Sequence, residues 1–469
     1  IFRNRVALAS ARKSVSFSVM KDQSPRAASQ AETSDKIRDA VLEAFNRIAG
    51  DGWTHVHEHV AYVFREFEMG HRAKGRAVHT LYGMMAHLRR LEFAVQRAPR
   101  RSLNEVRDEG LDIYLAFLIL EGQITPDIAK EAAPGLDWIA VSQSSIAIDA
   151  TEDPVVRFGL QHSLPDWLAK KLMEQYGEEA PALCAALNRR PPQMVRTNTL
   201  KQTREGLIRR LSGDRVIGKP AALSPQGVEI DPPVELFSLE PYHKGQFEIQ
   251  DEASQLVAEI TAPSPGSLVI DACAGAGGKT LALGALMKNR GRLIALDIHA
   301  GRLEELRRRA RRAELSNVQA LEIKSATAIL EKFIGKADRV LVDAPCSGMG
   351  ALRRNPESKW RMVKGDLERF PQQQFDIAND ALRFVKPGGR LIYATCTLFR
   401  EENEEIVARI TESGEFSAVP LKEVVGKALA EKISDASGLA MKLLPHTSGT
   451  DGFFAAVLRR KKSVPEKTG

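Results

Sequence analysis

Short apolar runs alternate with helical patterns throughout the C-terminal half of the chain. From residue 263 onward, five runs have the length and turn-bounded character of buried strands: SLVIDA, RLIALD, VQALEI, RVLVDA and RLIYAT. This alternation predicts an α/β domain over residues 263–462, with a doubly wound, mostly parallel sheet covered by helices on both faces. Two further strands are predicted near SAVPL and GFFAAVLRR. A sheet of this Rossmann-like type binds ligands at the carboxyl ends of its strands.

The residues before this sheet predict two further domains, since 469 residues are too many for one ordinary core. Residues 36–176 space their apolar side chains three and four apart and show no strand pattern, which predicts an all-α domain. Residues 177–262 mix a strand-like MVRTNTL with an amphipathic TREGLIRRL and predict a small α/β module with a linker. Residues 1–35, rich in Ser, Arg and Ala, predict a disordered tail, and residues 463–469 a basic tail.

Composition narrows the class of protein. A net charge of +7 and a pI near 9.1 hint at a polyanionic partner such as RNA. The four cysteines show no CxxC pairing, so we expect neither a disulfide framework nor a zinc site. A reducing compartment, the cytoplasm, fits this cysteine content best. His55 and His59 would share a helix face, but nothing completes a ligand set, so no metal is expected. No apolar run is long enough to span a membrane, and we expect a monomer.

The first predicted strand of the sheet leads into a glycine-rich turn, DACAGAGGKT. Glycines let the backbone turn tightly and approach a ligand, and the following helix offers free amide donors. A phosphate-binding P-loop would have glycine where this chain has Cys273, which favours a nucleoside cofactor over a nucleoside triphosphate. Asp271 closes the first strand, and Asp297 ends the second, where an acid can hold ribose hydroxyls. Both NAD and S-adenosylmethionine satisfy these features.

Two cysteines discriminate between the two cofactors. Cys346 follows the fourth predicted strand and Cys396 the fifth, and the ends of these strands should lie side by side. Either cysteine alone is best explained as a buried structural residue. Two cysteines in polar turns at neighbouring strand ends favour a catalytic role over a structural one. An NAD-dependent oxidoreductase would have no use for two cysteines placed in this way.

Several motifs resemble those of the Sun-family RNA (cytosine-5) methyltransferases, and the likeness extends from about Leu164 to Arg459. The motifs are LPDWLAKKLMEQYG, NRRPPQMVRTNTLK, DACAGAGGKT, DAPCSGMGALRRNPESKW and YATCTLFREENEEIV. The Pro-Cys and Thr-Cys pair is highly specific. The helical region looks like the antitermination-factor-like RNA-binding domain of the bacterial 16S rRNA enzymes of this family, although only its pattern matches.

The resemblance implies roles for individual residues. Cys396 would be the nucleophile that adds to carbon 6 of cytosine, Cys346 would assist breakdown of the adduct, and Asp343 would hydrogen-bond the cytosine amidine edge. Asp297 would meet the ribose of S-adenosylmethionine, and Asp343 would also lie near its sulfonium. Ser325 stands where the family usually has an acid at the adenine. The loop around the methionine moiety would comprise Cys273, Ala274, Gly275, Ala276, Gly277, Gly278 and Lys279.

Substrate RNA must present an unstacked cytosine. Residues that could contact such a strand are Lys279, Arg353, Arg354, Lys359 and Trp360. The basic stretch GRLEELRRRARRAEL could either contact RNA or form a solvated helix face. We therefore expect an S-adenosylmethionine-dependent cytosine-5 methyltransferase acting on rRNA. A tRNA enzyme and a non-catalytic RNA-binding assembly factor are the alternatives, and the intact Cys346, Cys396, Asp343 and Lys279 argue against the latter.

Overall fold

The structure is a computed structural model that describes residues 25–99, 109–325 and 327–462. Side chains are described for these residues except 25–33, 325, 327 and 328. The chain divides into two compact units. We call residues 1–189 and 352–364 the helical unit, and residues 190–351 and 365–469 the sheet unit. The small module and the parallel sheet thus share one unit, and a segment between the two cysteine motifs belongs to the other.

The helical unit is built around two long helices, and its first helix begins inside the segment predicted as a tail. Apolar side chains at helical spacing bury one stripe of each long helix, and the fourth helix is apolar on nearly every side. None of the helices within the described residues is long and apolar enough to cross a membrane. The helices are α1 (Pro25–Gly50), α2 (Val56–Glu66), α3 (His71–Arg97), α4 (Glu109–Leu120), α5 (Pro126–Ala132), α6 (Trp138–Ser142), α7 (Ser144–Asp149), α8 (Pro154–Gln161), α9 (Asp166–Tyr176), α10 (Ala180–Leu187) and, after the excursion of the chain, α17 (Ser358–Arg361).

The small module of the sheet unit is a four-stranded antiparallel sheet in the order β2-β3-β1-β4. The Thr203 hydroxyl accepts from the Gly206 N–H at 3.1 Å and caps the helix that the amphipathic pattern predicts. The elements are β1 (Gln193–Thr197), α11 (Arg204–Gly213), β2 (Gly218–Pro220), β3 (Gly227–Ile230), α12 (Glu240–His243) and β4 (Phe247–Ile249).

The main sheet has eight strands, in the order β10-β12-β9-β8-β5-β6-β7, with β11 paired to β12. The five strands from β9 to β7 are parallel, and β12 runs antiparallel to β9. The strands are β5 (Leu268–Asp271), β6 (Arg292–Asp297), β7 (Val318–Glu322), β8 (Ala337–Asp343), β9 (Val385–Thr395), β10 (Phe416–Ala418), β11 (Ala440–Leu443) and β12 (Phe453–Arg460).

Helices cover both faces of this sheet. Val269 and Ile270 are successive residues of β5 and so point to opposite faces, yet both are wholly buried, in separate apolar clusters. This confirms the predicted doubly wound architecture. The helices are α13 (Glu252–Thr261), α14 (Gly278–Leu286), α15 (Ala300–Arg312), α16 (Thr327–Leu330), α18 (Asp366–Leu382), α19 (Glu404–Glu412), α20 (Lys422–Val425), α21 (Lys427–Ile433) and α22 (Pro445–Ser448).

Candidate active site

Two cysteines lie just past the carboxyl ends of neighbouring parallel strands. Cys346 follows β8 and Cys396 follows β9, and these strands pair directly in the sheet. The two Sγ atoms are 3.4 Å apart, and both side chains are half-buried. The structure therefore brings together the two thiols that the sequence placed at separate strand ends.

A glycine allows the two cysteine loops to approach each other. The Gly350 N–H donates to the Cys396 carbonyl at 3.0 Å, and the Gly350 carbonyl accepts from the Gly452 N–H at 2.9 Å. A Cβ at residue 350 would overlap the Gly452 carbonyl oxygen and lie 2.9 Å from that of Cys396. Only glycine fits this close backbone contact, which makes Gly350 part of the scaffold of the cysteine pair.

A lysine and an aspartate form an ion pair at the same edge of the sheet. Lys279 Nζ lies 2.7 Å from Asp343 Oδ2, with 12% and 28% of the two side chains exposed. The ammonium also lies 5.1 Å from the centroid of the Phe453 ring. Burial lowers the pKa of Lys279, but Asp343 and, less strongly, Cys396 raise it, so the net pKa lies above its usual value. The positive charge is thus retained in a largely buried position.

The two thiols have different electrostatic surroundings. The hydrogen bond with Cys396, followed by burial and the nearby Glu402 carboxylate, raises the pKa of the Cys346 thiol well above its usual range. Cys346 is therefore held as a neutral thiol. Cys396 is one of the groups that raise the pKa of Lys279, so this thiol and the Lys279 ammonium interact electrostatically.

The glycine-rich turn after β5 is fixed by the acid at the end of β6. Asp297 accepts from the Gly275 N–H at 2.9 Å and from the His299 N–H at 2.8 Å. Gly275 and Gly277 have φ of 54° and 90°, and a Cβ on Gly277 would lie 2.6 Å from the Leu306 side chain. These two positions require glycine, as the motif predicts.

Asp271 is a wholly buried acid beside this turn. Its Oδ2 accepts from the Thr280 hydroxyl at 2.7 Å, and its Oδ1 has no hydrogen-bond partner among the described residues. Burial, partly opposed by the Thr280 bond, raises the pKa of Asp271 to about 7. A carboxyl with one unpaired oxygen at the base of a ligand loop is ready to receive a donor or a positive charge.

This edge of the sheet fits a nucleoside cofactor with a charged amino-acid end. Open space above Gly275, where a Cβ would meet nothing within 4 Å, lies beside the carboxylate of Asp297. Cys273 packs against the apolar core, and burial raises its pKa, which agrees with a structural role for this thiol. The Ser325 side chain lies outside the described residues, so the expected adenine contact stays a prediction.

The small module braces the same loop, through residues that sequence reasoning missed. Arg196 of β1 is buried and donates to the Gly278 carbonyl at 2.8 Å, while Arg309 of α15 donates to the Ala276 carbonyl at 2.8 Å. Glu248 of β4 holds Arg309 at 2.9 Å and Arg312 at 2.5 Å. Arg309 and Arg312 belong to the basic stretch GRLEELRRRARRAEL, for which the sequence left RNA contact and a solvated helix face open. In the structure both side chains form ion pairs with Glu248 instead.

The structure corrects part of the expected RNA-binding set. Lys359 is 1% exposed, and its ammonium donates to Ala86 O at 2.7 Å and Asn188 Oδ1 at 2.8 Å, within the helical unit. The Trp360 indole N–H donates to the Met85 carbonyl at 2.7 Å. These contacts lie within the helical unit, so Lys359 is withdrawn from the RNA-binding set, whereas Trp360 is half-buried and its RNA contact stays a prediction. Arg353 is also buried and Arg354 half-buried.

His55, which immediately precedes α2, and His59, within that helix, contact an acid rather than a ligand cluster. His55 Nδ1 and His59 Nε2 lie 2.9 Å and 3.1 Å from Asp51 Oδ2. Within the described parts of the chain, no group of three or more His, Cys, Asp and Glu side chains could hold a metal ion.

Comparisons with known proteins agree with the fold and the site. Residues 258–459 match the family described as 16S rRNA methyltransferase RsmB/F, and residues 164–236 match its ferredoxin-like domain. A probable ribosomal RNA small subunit methyltransferase B of Bacillus subtilis (strain 168) is 35% identical, over 67% of this chain and 70% of its own length.

Two crystal structures are similar to the chain. PH0851 has a TM-score of 0.73 at 25% identity and covers 91% of this chain and 98% of its own. A methyltransferase homolog protein from Pyrococcus horikoshii has a TM-score of 0.57 at 28% identity, over 66% of this chain and 99% of its own.

A doubly wound sheet with a glycine loop after one parallel strand, an acid ending the next and a cysteine pair nearby defines an S-adenosylmethionine-dependent methyltransferase. Within that class, the chain belongs to the 16S rRNA methyltransferase RsmB/F family. This membership confirms the resemblance to the Sun family and the expected cofactor.

Proposed function

We propose that the protein transfers a methyl group to carbon 5 of a cytosine in small-subunit rRNA, through a covalent adduct with Cys396. The observation that carries the proposal is the 3.4 Å contact between Cys346 and Cys396 at two neighbouring strand ends. The rRNA substrate rests on the family description and on the name of the Bacillus subtilis relative. The free state of all four cysteines agrees with the cytoplasm as the site of action.

The chemistry explains why two thiols are needed. Carbon 5 of cytosine is a weak nucleophile, and a thiolate that adds to carbon 6 converts the ring into an enamine that can attack an electrophile. S-adenosylmethionine, when bound, supplies the methyl group as that electrophile. Cys396 would form the bond to carbon 6, and Lys279 would stabilise its thiolate before the attack.

The other residues act on protons and orientation. Asp343 would accept hydrogen bonds from the amidine edge of the cytosine and orient the ring above Cys396. After methylation, a base must remove the proton on carbon 5 so that the Cys396 thiolate can leave. Cys346, held as a thiol 3.4 Å from the Cys396 sulfur, is placed to give its proton to that sulfur as the bond to carbon 6 breaks. The Cys346 thiolate formed in this way would then take up the carbon 5 proton, which restores both thiols.

Replacing the cysteines one at a time tests the proposal. Cys396→Ala should abolish methyl transfer and every covalent RNA adduct, because the enamine does not form. Cys346→Ala should still add and methylate but resolve slowly, so that a denaturant-resistant protein–RNA species accumulates on a gel with unmodified RNA and S-adenosylmethionine. Cys184→Ala, a change at a buried cysteine of the helical unit, is the matched control.

The outcomes separate the roles and the substrate. If Cys396→Ala instead traps RNA, the two roles are reversed, and full activity in both variants would refute the covalent mechanism. The substrate is tested by bisulfite sequencing of small-subunit rRNA and tRNA incubated with the wild type and with Cys396→Ala. A new 5-methylcytosine only in tRNA would overturn the rRNA assignment.

A further inference from the structure

Glu402 is a buried acid that the mechanism above does not use. It ends the short turn Arg400–Glu402 after β9 and is 1% exposed. No cation contacts its carboxylate anywhere in the part of the chain that the structure describes. Burying a carboxylate without a cation is costly unless neutral donors satisfy it, so the position of Glu402 calls for a reason.

The donors come from the residues that follow the two cysteines. Glu402 Oε2 accepts from the Ser347 N–H at 2.9 Å, and Oε1 accepts from the Thr397 hydroxyl at 3.0 Å. Ser347 directly follows Cys346, and Thr397 directly follows Cys396. The Ser347 and Thr397 hydroxyl oxygens also lie 2.6 Å apart. One carboxylate therefore joins both cysteine loops.

Two further residues fix the carboxylate itself. Gln374 of α18 donates from Nε2 to Glu402 Oε2 at 2.8 Å and to the Pro345 carbonyl at 3.0 Å, on the other side of Cys346. The Tyr393 hydroxyl donates to the Glu402 main-chain carbonyl at 2.6 Å. The loop that carries Cys346 is thus held on both sides by groups that converge on Glu402.

We propose that Glu402 is the positioning residue of the cysteine pair: it fixes the spacing of the two loops and, as a nearby negative charge, keeps Cys346 protonated while Cys396 serves as the thiolate. The proposal rests on the proposed covalent mechanism for its catalytic meaning. The titratable groups that act on the Cys346 thiol are Cys396, Glu402 and Tyr393, and the Lys279 ammonium acts on Cys396. Of these, only Glu402 is bonded to both loops.

Glutamine at this position separates the charge of Glu402 from its shape. In Glu402→Gln, the amide oxygen can still accept from the Ser347 N–H and from Gln374, and the amide N–H can donate to the Thr397 hydroxyl, which rotates to accept. The variant therefore keeps the connections and loses only the charge. Glu402→Ala removes both, and Glu405→Gln, at an exposed position on the following helix, is the matched control.

The first measurement uses no RNA and no cofactor. Alkylation of Cys346 by iodoacetamide is followed from pH 6 to 10 by peptide mass spectrometry, in a Cys396→Ala background that removes the neighbouring thiol. Adding Glu402→Gln should shift the alkylation profile about one pH unit lower, which makes alkylation about tenfold faster at pH 7.5 because the thiolate reacts. Glu405→Gln should leave the profile unchanged. An unshifted profile in Glu402→Gln would overturn the charge role.

The second measurement tests positioning in the otherwise unaltered enzyme. Glu402→Gln should move the alkaline fall of the kcat–pH profile about one pH unit lower, with KM for RNA and S-adenosylmethionine unchanged, because adduct breakdown needs Cys346 as a thiol. Glu402→Ala should also lower kcat at neutral pH, since the two loops lose their connection. Identical kcat–pH profiles of wild type and Glu402→Gln would refute the assignment of thiol roles. Because alkylation is read without substrate, its result stands even if the covalent mechanism fails.

Discussion

Lys359 is an ionisable residue buried in the interior of the helical unit. The dependence of the unit's stability on pH can reveal how burial changes its protonation. Burial lowers the pKa of this lysine from 10.5 to about 7. Its ammonium donates to the Ala86 carbonyl and to Asn188, and Asn188 in turn donates to the His162 carbonyl at 2.7 Å. We predict that Lys359→Met changes the slope of stability against pH, in addition to its effect on packing.

The sign and size of the change in stability with pH follow from the lowered pKa of Lys359. A lysine whose pKa is lower in the folded state destabilises the fold while it is protonated in both states, and this penalty is relieved as the pH rises from the folded pKa toward the unfolded one. With 1.36 kcal/mol per pH unit, the penalty is about 4 kcal/mol at pH 7 and about 2 kcal/mol at pH 9. The wild type should therefore gain about 2 kcal/mol relative to Lys359→Met over this range.

The methionine variant also pays a constant cost. The Ala86 carbonyl and the Asn188 side-chain oxygen lose their donor, at about 1 to 3 kcal/mol for each buried acceptor. Because this cost does not change with pH, the difference between pH 7 and pH 9 isolates the charge of Lys359.

The assay uses the tryptophans, all four of which belong to the helical unit: Trp53, Trp138, Trp167 and Trp360. Their fluorescence during urea denaturation at several pH values reports the unfolding of this unit. Lys170→Met, at an exposed lysine with 65% of its side chain accessible, is the control and should follow the wild type at every pH. A constant difference between wild type and Lys359→Met from pH 7 to 9 would show that folding does not lower the pKa of Lys359.

Two further predictions concern the cofactor edge of the sheet. Asp297→Ala should weaken S-adenosylmethionine binding by about 1.5 to 3 kcal/mol, because a charged acceptor is lost and the N–H groups of Gly275 and His299 are left unpaired; unchanged affinity in isothermal titration would remove Asp297 from the site. The free energy of unfolding of the sheet unit in Asp271→Asn, taken relative to wild type, should be about 2 to 3 kcal/mol higher at pH 8 than at pH 5. The raised pKa of Asp271 means that the wild type loses stability as the pH rises from about 4 to about 7. Hydrogen exchange in β5 reads this difference, and an equal difference at the two pH values would contradict the buried carboxyl.

The strands of the parallel sheet were predictable because burial on both faces makes them continuous apolar runs. β5 and β6 lie within the runs that sequence reasoning selected, and β8 overlaps the run RVLVDA but begins two residues before it. β11 was missed, since its four residues, AMKL, carry too little pattern to distinguish a short antiparallel strand from a loop. β2 reads GKP and contains a proline, so only its pairing with β3 defines it as a strand.

At the site, sequence reasoning succeeded where strand order alone determines proximity. Cys346 and Cys396 follow adjacent parallel strands, and they meet. It failed for charged residues whose burial depends on partners far away in the chain. Lys359 looks like a phosphate contact because lysine is mostly exposed in proteins, and Glu402 looks like one acid among several in REENEE. Only tertiary packing shows that both are buried.

The burial of Lys359 also changes how the helical unit can be tested for RNA docking. Removing residues 36 to about 160 and asking whether KM for RNA rises would be the direct experiment. The segment Leu352–Lys364 belongs to this unit, however, and follows Cys346 closely in the chain. The truncation would delete the Ala86 and Met85 carbonyls that bind Lys359 and Trp360, exposing a charge and an indole in the chain that leads from one cysteine to the other. A loss of activity would then report a disturbed active site as readily as a lost RNA contact. Substitutions of exposed Lys and Arg side chains on the helices, with Lys359 and its acceptors intact, separate the two causes: only loss of docking raises KM for RNA and leaves kcat unchanged.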